Sequence, residues 1–104
     1  YSLGCVAYWL LAGELVFAGH SAVEMVAAHL RDSPPRPSEV TEGSIDPQLE
    51  ALVMQCLAKQ PDDRPSSARV LAEALGELPV LGDWCPADAE RWWELHAPAG
   101  ARAR

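Results

Sequence analysis

The sequence predicts an all-α fold, and three observations lead there. Apolar residues recur at i, i+3, i+4 and i+7 in stretch after stretch. Capping residues stand just ahead of those stretches, as helix starts require. No stretch keeps the alternation of apolar and polar residues, with β-branched enrichment, that a half-buried strand needs.

The first helix is expected over Tyr1 to Ala12, which is apolar at nearly every position and therefore has no face meant for water. Gly13 is the natural C-cap, since a residue without Cβ adopts the left-handed conformation that ends helices. Gly4 costs a helix interior about 1 kcal/mol relative to Ala, so its presence predicts close approach by another piece of backbone. The run Cys5 to Ala12 falls well short of the roughly 20 apolar residues of a membrane span. No membrane contact is expected of this segment.

Ser21-Ala-Val-Glu24 has the form of a capping box and opens a second helix. Val23, Val26, Ala27 and Leu30 make its apolar stripe, which is expected to be buried, with Met25 and His29 one turn apart on another face. Residues 33–43 hold three prolines among Ser, Thr and Glu and are expected to form an extended loop. Asp46-Pro47 supplies an N-cap acid and a first-turn proline to a third helix, with its stripe at Leu49, Leu52, Val53, Cys56 and Leu57. Gln60 to Pro65 is a hard break. Ser66 or Ser67 caps a fourth helix carrying Ala68, Leu71, Ala72, Leu75 and Leu78 at helical spacing. A short last helix begins near Pro86, with Asp88 and Glu90 in its first turn. Its Trp92 and Trp93 are expected to dock on the body, and the chain end is expected to fray.

Composition narrows the function. Fifteen acidic against eight basic residues give a net charge of −7, which argues against a nucleic-acid partner, since phosphate binding needs clustered Lys and Arg. Cys5, Cys56 and Cys85 are odd in number and widely spaced, so neither a disulfide framework nor a zinc site is indicated and a reducing, cytoplasmic location is expected. His20, His29 and His96 lack neighbours at zinc-ligand spacing and read as surface histidines. Asp62 and Asp63, adjacent in a proline-bounded turn, read as a solvated pair rather than acid-base partners. Cys56, on the buried stripe, is expected to be inert. The opening on Tyr1, directly inside an apolar helix, leads us to expect a piece of a longer protein.

Three stretches then carry a family likeness: Tyr1-Ser-Leu-Gly-Cys-Val with Leu10-Leu-Ala-Gly-Glu-Leu-Val-Phe17; Met25 to Leu30 with Pro34-Pro-Arg-Pro-Ser38; and Cys56-Leu-Ala-Lys-Gln-Pro-Asp-Asp-Arg-Pro65. In order and spacing they resemble the C-terminal part, the large-lobe helices, of the bacterial-type serine/threonine protein kinase domain. The likeness covers residues 1–78; residues 79–85 are expected to form a linker, 86–96 a short tail helix, and 97–104 a disordered end. By resemblance, the first helix is the buried axis of the large lobe and the second faces protein substrates or regulators, Met25 and His29 among its surface residues. Arg64 resembles the structural arginine that ties the last helices to a Glu at the end of the activation segment, ahead of Tyr1. Within this chain Arg64 is expected to be unpaired or to make do with a local acid such as Asp62 or Asp63.

The resemblance implies ATP and magnesium for the parent protein, phosphorylation of protein Ser and Thr, a role in signalling, and the rest of the kinase domain as a partner. No catalytic, cofactor-binding or metal residue is expected in this segment. Phosphoryl transfer needs a Gly-x-Gly-x-x-Gly loop, a strand lysine, an Asp base and an Asp and Asn on magnesium. The seven glycines never fall into that pattern, Lys59 is the only lysine, and the chain has no Asn. His29-Leu-Arg-Asp32 is superficially like a catalytic His-Arg-Asp, but it ends an amphipathic helix and follows the first helix instead of preceding it. The alternative is a non-catalytic helical interaction module or a pseudokinase remnant. Either way, an apolar patch is expected to stay open on the first helix.

Overall fold

The computed structural model describes residues 1–19, 21–79 and 84–97. Among them lie six α-helices and no strand: α1 Ser2–Ala12, α2 Ala22–Arg31, α3 Pro37–Val40, α4 Pro47–Cys56, α5 Ala68–Gly76 and α6 Pro86–His96, with a 3-10 turn at Pro61–Asp63. The all-α expectation is met. The sequence-predicted linker falls partly, and the expected frayed end almost wholly, outside the described residues.

Local chemistry sets the helix ends. Gly13 closes α1 in the left-handed region, φ 72°, and donates its N–H to the Trp9 carbonyl. Ser21 Oγ accepts from the Glu24 N–H, Ser67 Oγ from the Val70 N–H, and Asp46 Oδ1 from both Gln48 and Leu49 N–H. Each satisfies donors that the first helical turn leaves without partners. The expected loop at residues 33–43 needs correction, because Pro37–Val40 winds one helical turn. Proline costs nothing at that first position, and the buried Glu50 reaches across from α4 to accept the Ser38 N–H at 3.0 Å. A partner distant in sequence thus holds a turn that composition alone disfavours.

The core forms where α1 packs on α4 and α3, and α5 packs on α4 beside α1, with Leu71 and Leu75 facing Leu3, Gly4 and Ala7 across a shared apolar space. Tyr8, Ala12, Val16, Val53 and Leu57 are buried together. Tyr8 is 1% exposed, and its hydroxyl donates to the Pro35 carbonyl at 2.9 Å, so the ring fills the core while its polar end is satisfied. A Cβ on Gly4 would lie 2.7 Å from Cys56 Cβ, confirming that Gly4 lets α1 and α4 approach closely. The open patch expected on α1 is present, with Leu3, Val6, Trp9 and Leu10 all exposed. No helix among the described residues is long and apolar enough to cross a membrane.

Docking of the tail aromatics is not observed. Trp92 and Trp93 are 45% and 59% exposed and pack edge to face on one another, while Trp92 stacks on His96 at 4.4 Å. The chain neighbour Trp93 and His96, one turn on along the same helix, give Trp92 the aromatic contacts that were expected from the body.

Candidate functional site

The α2 helix sits the other way round from its hydrophobic pattern. Val23, Val26 and Leu30 are 79%, 60% and 70% exposed, whereas Met25, Ala28 and His29 are half-buried. The stripe expected to be buried lines an open hollow of about 410 Å³, shared with Ala22, Ala27 and Arg31. Met25 lies close over Gly19, where a Cβ would meet its Cγ at 2.8 Å. The expectation that Met25 and His29 occupy the open face is therefore corrected, since both turn toward the body.

Polar and aromatic contacts explain that orientation. His29 Nδ1 shares a hydrogen bond with the Tyr1 hydroxyl, and its ring meets Phe17 edge to face at 5.0 Å. Lys59, from the turn after α4, donates to the His29 carbonyl at 3.0 Å and the Ala28 carbonyl at 3.4 Å, and lies 5.0 Å over the Phe17 ring. The Ala28 carbonyl also accepts the C-cap Asp32 N–H at 2.8 Å. The His29 carbonyl lies in the last turn, where carbonyls lack intrahelical partners and carry the negative end of the helix dipole, so an ammonium there is favoured twice. Sequence reasoning treated Lys59 only as a missing catalytic lysine. Its status as the sole lysine, just past the end of a helix, was the available signal.

Arg64 does not pair with a local acid. Its Nε donates to the Ala58 carbonyl at 2.8 Å and an Nη to the Lys59 carbonyl at 3.2 Å, with the guanidinium 5.0 Å over the Tyr1 ring. The turn after α4 presents two carbonyls to a five-donor fork, while Asp62 and Asp63 are exposed on the 3-10 turn. Arg64→Ala is expected to lower stability by about 2 kcal/mol, the range for losing charge-assisted hydrogen bonds. Equilibrium denaturation checks this, and a change under about 0.5 kcal/mol would match a solvated surface pair instead.

The site carries little reactive chemistry of its own. Burial pushes the Cys5 and Cys56 thiols and the Tyr1 and Tyr8 phenols upward, keeping them protonated and poorly nucleophilic. Among the described residues, no group of three or more His, Cys, Asp or Glu side chains is arranged to hold a metal. His20, one of the three histidines considered, lies outside the described residues. The arrangement offers an outward apolar helix face backed by a fixed polar scaffold, a geometry suited to binding protein.

Comparison with characterised proteins shows that the chain is homologous to a segment of bacterial serine/threonine protein kinases. It is 39% identical over 108 residues to the serine/threonine-protein kinase PknB of Mycolicibacterium smegmatis, covering 99% of this chain and 17% of that protein. PknB of Mycobacterium leprae is 46% identical over 68 residues, 65% of this chain and 11% of the relative. PkaA of Streptomyces coelicolor is 42% identical over 82 residues, 73% and 14% respectively. The chain thus spans well under a fifth of the length of these curated relatives. No protein-family model matches it.

Proposed function

We propose that this chain is the scaffold and partner-facing part of the large lobe of a cytoplasmic serine/threonine protein kinase, and that α2 is where a protein substrate or regulator docks. In the whole protein, the substrate hydroxyl oxygen attacks the γ-phosphorus of magnesium-bound ATP. The bond to the bridging oxygen breaks, ADP leaves, and the hydroxyl proton passes to a base. The residues for those steps do not occur in this sequence, which lacks the glycine-rich loop and any Asn. Its contribution is positioning, which matters because phosphoryl transfer is governed by placement and electrostatics.

The observation that carries this reading is the outward stripe of α2, with Val23, Val26 and Leu30 exposed around the hollow. Solvent-exposed branched residues at i, i+3 and i+7 cost solubility and do nothing for this chain's own core, so a partner gives them a purpose. Met25 and His29 would support that surface from behind.

In the full-length protein, Val26→Asp is expected to reduce phosphorylation of a protein substrate at least about tenfold, the cost of a charge in an apolar contact of roughly 1.4 kcal/mol or more. ATP hydrolysis and melting temperature should stay nearly unchanged. Equal losses of protein phosphorylation and ATP hydrolysis would mean that the stripe supports the fold of the parent instead.

A further inference from the structure

The contacts around α2 form a closed circuit. Arg64 holds the carbonyls of Ala58 and Lys59 and covers the Tyr1 ring; Tyr1 bonds His29; and Lys59 returns to the carbonyls of Ala28 and His29. Arg64 thereby fixes the backbone that carries Lys59. Phe17 fills the middle, its ring meeting both His29 and the Lys59 ammonium. The apolar pattern of α2, by contrast, would turn the helix inward on Val23, Val26 and Leu30.

We infer that Lys59 is the positioning residue of α2: its ammonium ties the C-terminal end of the helix to the turn after α4 and so keeps the apolar stripe facing outward. Three features make Lys59 the member on which the circuit depends. Among the described residues it is the one side chain that reaches from the turn after α4 to the α2 backbone, at the His29 carbonyl left open by the helix end and the Ala28 carbonyl beside it. Its charge meets the negative pole of the α2 dipole. Its position over Phe17 adds attraction from a ring face on a third segment, residues 13–19. The contact is to backbone, so it fixes the helix whatever side chains the outer face carries. Neutralising Lys59, by substitution or by acylation of the amine, would release the helix end and let the apolar stripe turn toward the core.

The inference deepens the reading of α2 as the docking helix, but its test needs no partner. Amide hydrogen exchange is measured on the 104-residue chain and on Lys59→Met and Lys59→Arg. Methionine keeps most of the aliphatic stem and removes the charge, while arginine retains donors. In Lys59→Met, the amides of residues 26–32 are expected to exchange about tenfold faster, the scale of a lost charge-assisted hydrogen bond. Those of α1 and α4 around Tyr8 and Val53 should keep their protection, and Lys59→Arg should stay within about threefold of the parent chain throughout. Unchanged α2 exchange in Lys59→Met overturns the inference, as does a loss shared equally by all helices or a Lys59→Arg variant no better than Lys59→Met. Failure of the Val26→Asp assay would leave these exchange rates unaffected, so the two readings fail separately.

Discussion

Tyr8→Ala is expected to lower the stability of this chain by about 3 to 5 kcal/mol, the range for truncating a buried aromatic ring. The ring is 1% exposed and sits among Ala12, Val16, Val53 and Leu57, contributed by α1, the segment after α1, and α4 with its C-cap. Its loss opens a hole where several segments meet, and backbone held by helices closes around such a hole only partly. The hydroxyl adds a separate contribution, because its bond to the Pro35 carbonyl fastens the approach to α3 onto α1. Tyr8→Phe keeps the ring and should cost only about 1 kcal/mol. Denaturant titration of both variants separates the contributions. Similar small losses would mean that the core centres elsewhere, and an equally large loss in Tyr8→Phe would mean that the hydrogen bond outweighs the packing. Folded domains keep a margin of only about 5 to 15 kcal/mol, so Tyr8→Ala should leave a measurable unfolded population.

Gly4→Val is expected to cost about 3 kcal/mol. An added Cβ meets Cys56 Cβ at 2.7 Å, Leu57 Cδ2 at 3.2 Å and the Cys56 carbonyl carbon at 3.4 Å. A Cβ atom and a backbone carbon cannot rotate away, so α1 and α4 must separate, and overpacking of this kind costs about 1 to 3 kcal/mol before the extra methyl groups of Val are placed. Alanine creates the same first clash but recovers about 1 kcal/mol of helix propensity, so Gly4→Ala should lie between the parent and Gly4→Val. Thermal unfolding of the pair provides the check, and a stabilised Gly4→Ala would show that α1 and α4 are free to move apart.

The sequence made the helices legible because their ends are set by near neighbours. Asp46 and Pro47, Ser67, and Gly13 act within one turn of their own position. A cap's hydrogen bond is complete whether or not the helix has found the rest of the protein. Gly4 was legible for a related reason: its helix-propensity penalty had to be offset by something, and Cys56 on α4 proved to be the close neighbour. The likeness to bacterial kinases was also readable from the order and spacing of three stretches, and relatives at 39–46% identity bear it out.

What only the tertiary structure decided was which way surfaces turn and which partner a charge finds. The Val23, Val26 and Leu30 stripe tells that one face of α2 is apolar but carries no instruction about what covers it. Tyr1 and Lys59, 28 and 30 residues from His29, hold the opposite face inward. Asp62 and Asp63 were the nearest acids to Arg64 along the chain, yet the carbonyls of Ala58 and Lys59 lay nearer in space. Residues 37–40 read as loop because the Glu50 carboxylate that holds their first turn stands 12 positions beyond Ser38. Capping and periodicity are interactions among neighbours and leave their mark in neighbouring residues; an orientation set by a lysine on a distant turn leaves none until the chain is folded.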